Sequence, residues 1–134
     1  MSFLGQVRKK ALQANRRIVL PETSDERVIR AASQILKEGL AQVILVGNQE
    51  TIMNSAKAYE VSLSGAKIVD PYNFERFNDY VNKLVELRAK KGMTPEEAKK
   101  LLLNNPTFFG AMLVRMGDAD GMVSGSSSPT ANVL

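Results

Sequence analysis

The stretch Ser124-Gly125-Ser126-Ser127-Ser128-Pro129-Thr130 gathers small residues and hydroxyls in one loop. Small side chains let backbone N–H groups approach a ligand, hydroxyls add donors, and a helix start beyond the loop adds a dipole that favours an anion. Such a loop suits phosphate. It lacks the Gly-x-x-x-x-Gly-Lys spacing of a Walker loop, and a flexible serine-rich connection would have the same composition. Arg88 is the second candidate, because Phe77, Val81, Leu84 and Arg88 recur at helical spacing and put a guanidinium on an otherwise apolar stripe. A guanidinium can grip phosphate through two parallel hydrogen bonds; the competing reading is a snorkelling side chain that complements a helix carboxyl end. Asp118 and Asp120 could hold a divalent ion or act as an acid/base pair. We read them instead as turn formers bonded to nearby backbone. Glu22, Asp25 and Glu26 read as cap and dipole partners of a helix start. The chain contains neither Cys nor His. Thiolate metal sites, Ser–His triads, Cys nucleophiles and imidazole bases are therefore excluded from these residues.

The elements that must position these groups alternate between strand-like and helix-like patterns. Arg17-Ile18-Val19-Leu20 stops at Pro21, and Gln42-Val43-Ile44-Leu45-Val46 stops at Gly47-Asn48. Their apolarity is continuous rather than alternating, which predicts strands covered on both faces, as in a parallel sheet. Between them, Thr23 and Glu26 have capping-box spacing ahead of Val28, Ala32, Ile35 and Leu36, so a helix is expected from there to Gly39. Lys67-Ile68-Val69 predicts a third strand, and Phe74, Phe77, Val81 and Leu84 a helix running to about Lys91-Gly92. Thr94-Pro95-Glu96-Glu97 and Asn105-Pro106 are cap-then-proline signals for two more helices, the second ending near Met116. Gly121-Met122-Val123 predicts a fourth strand feeding the serine loop, with Met112, Met116 and Met122 as core. Ala131-Asn132-Val133-Leu134 resembles the first turn of a helix.

Length and composition narrow the class. The 134 residues, 44% of them apolar, suffice for one globular core. No apolar run approaches the roughly 20 residues that span a bilayer, and Met1 to Arg17 has no hydrophobic segment of the secretory kind. A cytoplasmic protein with no membrane partner is expected. The net charge of +4 could favour an anion. The densest basic cluster, Arg8-Lys9-Lys10 with Arg16-Arg17, reads as a solvated helix face. Aromatic residues make up 6% and do not alternate with basic ones. Nucleic acid is not an expected partner.

Five stretches, in chain order, resemble the phosphate acetyl/butyryl transferases: Ile18-Val19-Leu20-Pro21-Glu22 with Asp25-Glu26-Arg27; Ile44-Leu45-Val46-Gly47-Asn48; Lys67-Ile68-Val69-Asp70-Pro71; Glu86-Leu87-Arg88 with Lys91-Gly92; and Gly117-Asp118-Ala119-Asp120-Gly121-Met122-Val123-Ser124-Gly125. The resemblance implies a three-layer α/β/α fold with a mainly parallel sheet, residues 1–134 being the amino-terminal part of a two-domain, homodimeric acyltransferase. It implies reversible acetyl transfer between coenzyme A and inorganic phosphate, giving acetyl phosphate. Acetyl-CoA, phosphate and acetyl phosphate would then be substrates, with no bound cofactor and no metal. A base generates the coenzyme A thiolate, which attacks acetyl phosphate directly, so no acyl-enzyme is needed. On the matching positions, Arg88, Ser124, Gly125, Ser126, Ser127, Ser128 and Thr130 would contact substrate. Many members have His-Ser-Thr where this chain has Ser128-Pro129-Thr130, and Asp where it has Asn132.

The family's next arginine would follow Leu134, with its catalytic aspartate and coenzyme A contacts later still. Residues 1–134 alone are therefore expected to be inactive. The alternatives are an acetyl-CoA-sensing, non-catalytic domain of this type, as in some malic enzymes, and an anion-binding interaction module. Nothing in these residues selects the acyl chain.

Overall fold

The computed structural model describes residues 3–14 and 17–124. Within them α1 (Phe3–Ala14), β1 (Arg17–Leu20), α2 (Glu26–Glu38), β2 (Gln42–Val46), α3 (Gln49–Ala58), β3 (Lys67–Val69), α4 (Phe77–Leu87), α5 (Pro95–Asn104), α6 (Pro106–Arg115) and β4 (Gly121–Met122) follow in chain order. The four strands form one parallel sheet in the order β3-β2-β1-β4. Ile18 lies opposite Val43 on one side and Gly121 on the other, so β1 is central and β4 is an edge.

Strand side chains alternate between the two faces. Ile18, Leu20, Val43 and Leu45 pack with Val28, Ile29 and Ile35 of α2, Ile52 of α3 and Val7 of α1. Val19, Ile44, Val46 and Val69 face the other way, into a core with Tyr80, Leu84, Leu102, Phe109 and Met112 from α4, α5 and α6. Both faces of the sheet are covered, which is why its strands carry no polar alternation. The result is the expected three-layer α/β/α arrangement.

Several helix ends lie where local signals put them. Gly39 closes α2 at φ 66°, in the left-handed region that costs glycine little. Thr94 and Glu97 form a reciprocal capping box with Pro95 inside the first turn of α5, and the Asn105 side chain accepts from Phe108 N at the start of α6.

Three local readings need correction. The cap of α2 is Asp25, whose carboxylate accepts from Arg27 N at 2.9 Å. Thr23 instead donates its hydroxyl to Val46 O at 2.7 Å, tying the β1–α2 connection to the end of β2. The helix that starts at Phe77 stops at Leu87; Arg88 leaves helical geometry at φ −115°, ψ 22°, and one 3-10 turn, Ala89–Lys91, follows before Gly92 at φ 71°. Helix α3 was not anticipated, although Asn48 caps it by accepting from Thr51 N at 3.0 Å.

The basic amino-terminal cluster is more than a solvated face. Arg8 Nη2 donates to Glu38 Oε2 at 2.5 Å and Gln34 Nε2 donates to the same oxygen at 2.6 Å, so α1 is clipped to the end of α2. The hydrogen bond from Arg8, followed by that from Gln34, holds the Glu38 carboxyl below its ordinary value. A lowered folded-state value means that the clip stabilises above the ordinary value of 4.5 and loses its contribution as pH falls through the lowered one. Glu38→Gln is therefore expected to melt below the wild type at pH 7, with the gap closing as pH falls progressively below 4.5; melting curves across that pH range check this.

Candidate functional site

In an open parallel sheet, ligands bind beyond the carboxyl ends of the strands where the strand order reverses. Here the chain runs from β1 to β2 and β3 on one side and places β4 on the other side of β1. By that rule a ligand crevice belongs between the ends of β1 and β4. Pro21-Glu22 leave β1 there, and Val123-Ser124 leave β4. Glu22, 7% exposed, and Ser124, 6% exposed, are the buried residues of polar type among those described. The fold has buried one polar side chain at each lip of the crevice.

Helix α6 packs against these ends. A Cβ on Gly110 would lie 3.0 Å from Met122 Sδ and 3.2 Å from Pro21 Cβ, so only a residue without a side chain fits the approach without displacement. Two residues earlier, Phe108 is buried, and the Arg88 guanidinium lies over its ring at 5.2 Å. The structure thus brings Arg88 to the first turn of α6, whose next turn touches Pro21 and Met122. Among the described residues Arg88 makes no ion pair, and no hydrogen bond joins it to Ser124. Gly125, Ser126, Ser127, Ser128 and Thr130 lie outside the described residues.

Next to the crevice, a cavity of about 690 Å³ extends along the ends of β1, β2 and β3, between Glu22, Asn48, Thr51, Asp70, Tyr72 and Pro106. Among the described residues its wall has two carboxylates, Glu22 and Asp70, and no basic side chain.

The paired aspartates are not local turn formers. Asp118 accepts from Arg76 Nη1 at 2.6 Å and from the Tyr80 hydroxyl, whose pKa is pushed up first by burial and then by this bond. Asp120 accepts from the Arg17 backbone N at 3.0 Å and from Arg17 Nε at 3.1 Å. The two carboxylates turn into separate ion pairs ahead of β4, at the amino-terminal end of the strands, away from their carboxyl ends. Among the described residues no group of three or more acidic side chains could hold a metal ion. Glu22, read from the sequence as a helix-start partner, was the underrated residue. Its position directly after the Pro that stops β1 was the available signal.

Residues 2–134 match the family model described as phosphate acetyl/butaryl transferase. The chain belongs to this family. It is 46% identical over all its 134 residues to the phosphate acetyltransferase of Acetivibrio thermocellus and 39% identical over 132 residues to that of Bacillus subtilis, covering 40% of each relative's length. A phosphotransacetylase from Streptococcus pyogenes superposes on 99% of the chain with TM-score 0.81 at 39% identity, over 41% of its own length. The EutD phosphotransacetylase from Staphylococcus aureus superposes on 97% of it with TM-score 0.79 at 36% identity, over 40% of its length. The chain spans about 40% of the length of the curated relatives from Acetivibrio thermocellus and Thermoanaerobacterium thermosaccharolyticum. Among its described residues no helix is long and apolar enough to cross a membrane.

Proposed function

We propose that this chain forms the amino-terminal part of a phosphate acetyltransferase that moves an acetyl group reversibly between coenzyme A and inorganic phosphate. The observation that carries this reading is the family match over residues 2–134, with relatives of that name. The reversal of strand order between β1 and β4, with Glu22 and Ser124 buried at its lips, is the geometry such a site requires.

In the forward direction the coenzyme A thiolate attacks the carbonyl carbon of acetyl phosphate. The C–O bond to phosphate breaks, the thioester forms, and phosphate leaves with the electron pair of that bond. No covalent enzyme intermediate is needed, in keeping with a chain that has no Cys or His. The enzyme's work is to orient the two substrates and to stabilise charge on the phosphate and the developing oxyanion. In this assignment Ser124, Gly125, Ser126, Ser127, Ser128 and Thr130 supply backbone and hydroxyl donors to the phosphoryl group, and Arg88 supplies a guanidinium. Coenzyme A is a substrate rather than a bound cofactor. The protein works in the cytoplasm as a homodimer.

The test is thioester formation from acetyl phosphate and coenzyme A, run on residues 1–134 and on the chain extended to its relatives' length. Turnover is expected only from the extended protein. An extended protein that is folded but gives no thioester overturns the reading.

A further inference from the structure

The edge strand β4 is only two residues long and pairs with β1 at two positions, Ile18 with Gly121 and Val19 with Met122. One further backbone bond, Val123 N to Val19 O at 3.1 Å, is all that extends the pairing toward Ser124. A ladder this short specifies register weakly, and slipping by one residue would move Ser124 by about 3.3 Å and turn it to the other face of the sheet. Something else must hold the register.

The residues ahead of β4 carry that hold. Asp120 N donates to Arg17 O at 2.8 Å, and the Asp120 carboxylate accepts from Arg17 N at 3.0 Å, closing a reciprocal pair one position before the ladder begins. The Arg17 guanidinium then spans the turn after α6. Its Nε and Nη2 donate to the Asp120 carboxylate at 3.1 and 3.3 Å, Nη1 to Asp118 O at 3.1 Å and Nη2 to Gly117 O at 3.0 Å. From the other side Arg76 Nη1 and the Tyr80 hydroxyl bind the Asp118 carboxylate. Arg17 and Arg76 come from elements separated in sequence from this turn by 101 and 42 residues. A fork reaching two carbonyls and a carboxylate at once is a task for arginine that lysine cannot reproduce.

We propose that Arg17, with Asp120, Asp118 and Arg76, is a positioning unit that fixes the register of β4 and so the height at which Ser124 enters the crevice. None of these four side chains lies at the carboxyl end of the strands; they act from the amino-terminal end of β1 and β4, through the strand. The consequence for phosphate binding rests on the function proposed above, whereas the consequence for the strand does not.

Two measurements separate the two. In residues 1–134, Arg17→Gln is expected to raise amide exchange at Met122, Val123 and Ser124 by roughly tenfold or more, with the amides of α2 and α5 unchanged. Arg17→Lys should fall between Gln and wild type. If Arg17→Gln does not fold, Asp120→Asn, which keeps an acceptor for Arg17 N but removes the charge, gives the same readout. In the protein at its relatives' length, the same variants are expected to raise KM for acetyl phosphate more than KM for coenzyme A. Exchange that is unchanged at 122–124, or that rises equally everywhere, overturns the proposal. Local exchange with no change in KM upholds the positioning unit and counts against the phosphate role of the loop.

Discussion

Replacing Phe109 by alanine is expected to remove a large part of the stability of the fold. Phe109 is fully buried in the core between the sheet and α4, α5 and α6. Its ring meets Phe74 edge-on at 5.4 Å and stacks on Tyr80 at 5.7 Å, and Phe74 meets Tyr80 edge-on at 4.9 Å. Truncating a buried Phe costs about 3–5 kcal/mol through lost transfer energy and the cavity left behind. The lost ring contacts put Phe109 toward the upper end of that range. Against a total of about 5–15 kcal/mol for a domain, that is about a fifth or more of what holds the chain folded. With m about 1–3 kcal/mol/M, the urea midpoint should fall by more than about 1 M. Phe109→Leu, which fills most of the space, should lose less. A midpoint within experimental error of wild type for Phe109→Ala would contradict the core described here.

The second large effect concerns Arg88. A charge-assisted hydrogen bond to an anion contributes about 1.5–3 kcal/mol. If Arg88 holds a substrate phosphate, Arg88→Ala in the protein at its relatives' length should therefore lower kcat/KM by about 10- to 150-fold. Arg88→Lys keeps the charge but loses the planar fork and should recover only part of the loss. Urea unfolding of the same variants distinguishes the alternative. The side chain is half-buried above Phe108, and the residue sits at the carboxyl end of α4. A purely structural Arg88 would lower the unfolding midpoint and leave KM for both substrates unchanged.

The strands show which signals the sequence carried. β1, β2 and β3 lie on the apolar runs that end at Pro21, Gly47 and Asp70, because a strand covered on both faces needs apolar residues throughout and a stop after them. The starts of α5 and α6 were equally legible, since a capping side chain bonds a backbone N–H only three positions away. The same locality misled at α2. Thr23 and Glu26 have the spacing of a capping box, but the Thr23 hydroxyl is taken by Val46 O, 23 residues along the chain, and Asp25 caps instead.

The candidate site divides in the same way. The serine loop and Arg88 stood out by residue type and spacing, whereas Glu22 did not, because its burial at 7% exposure depends on the packing around the end of β1. Asp118 and Asp120 looked like turn residues, since nothing within a few positions of them is basic except Arg115. Their partners, Arg76 and Arg17, arrive from 42 and 103 residues away. The sequence by itself determined most of the elements and the family resemblance, and singled out side chains whose type suits phosphate, since those depend on neighbours within about one turn or on residue type. Only the tertiary structure decided the strand order that opens a crevice between β1 and β4, and the arginine partners that hold β4 in register. Both depend on segments meeting across the sheet, which no local pattern encodes.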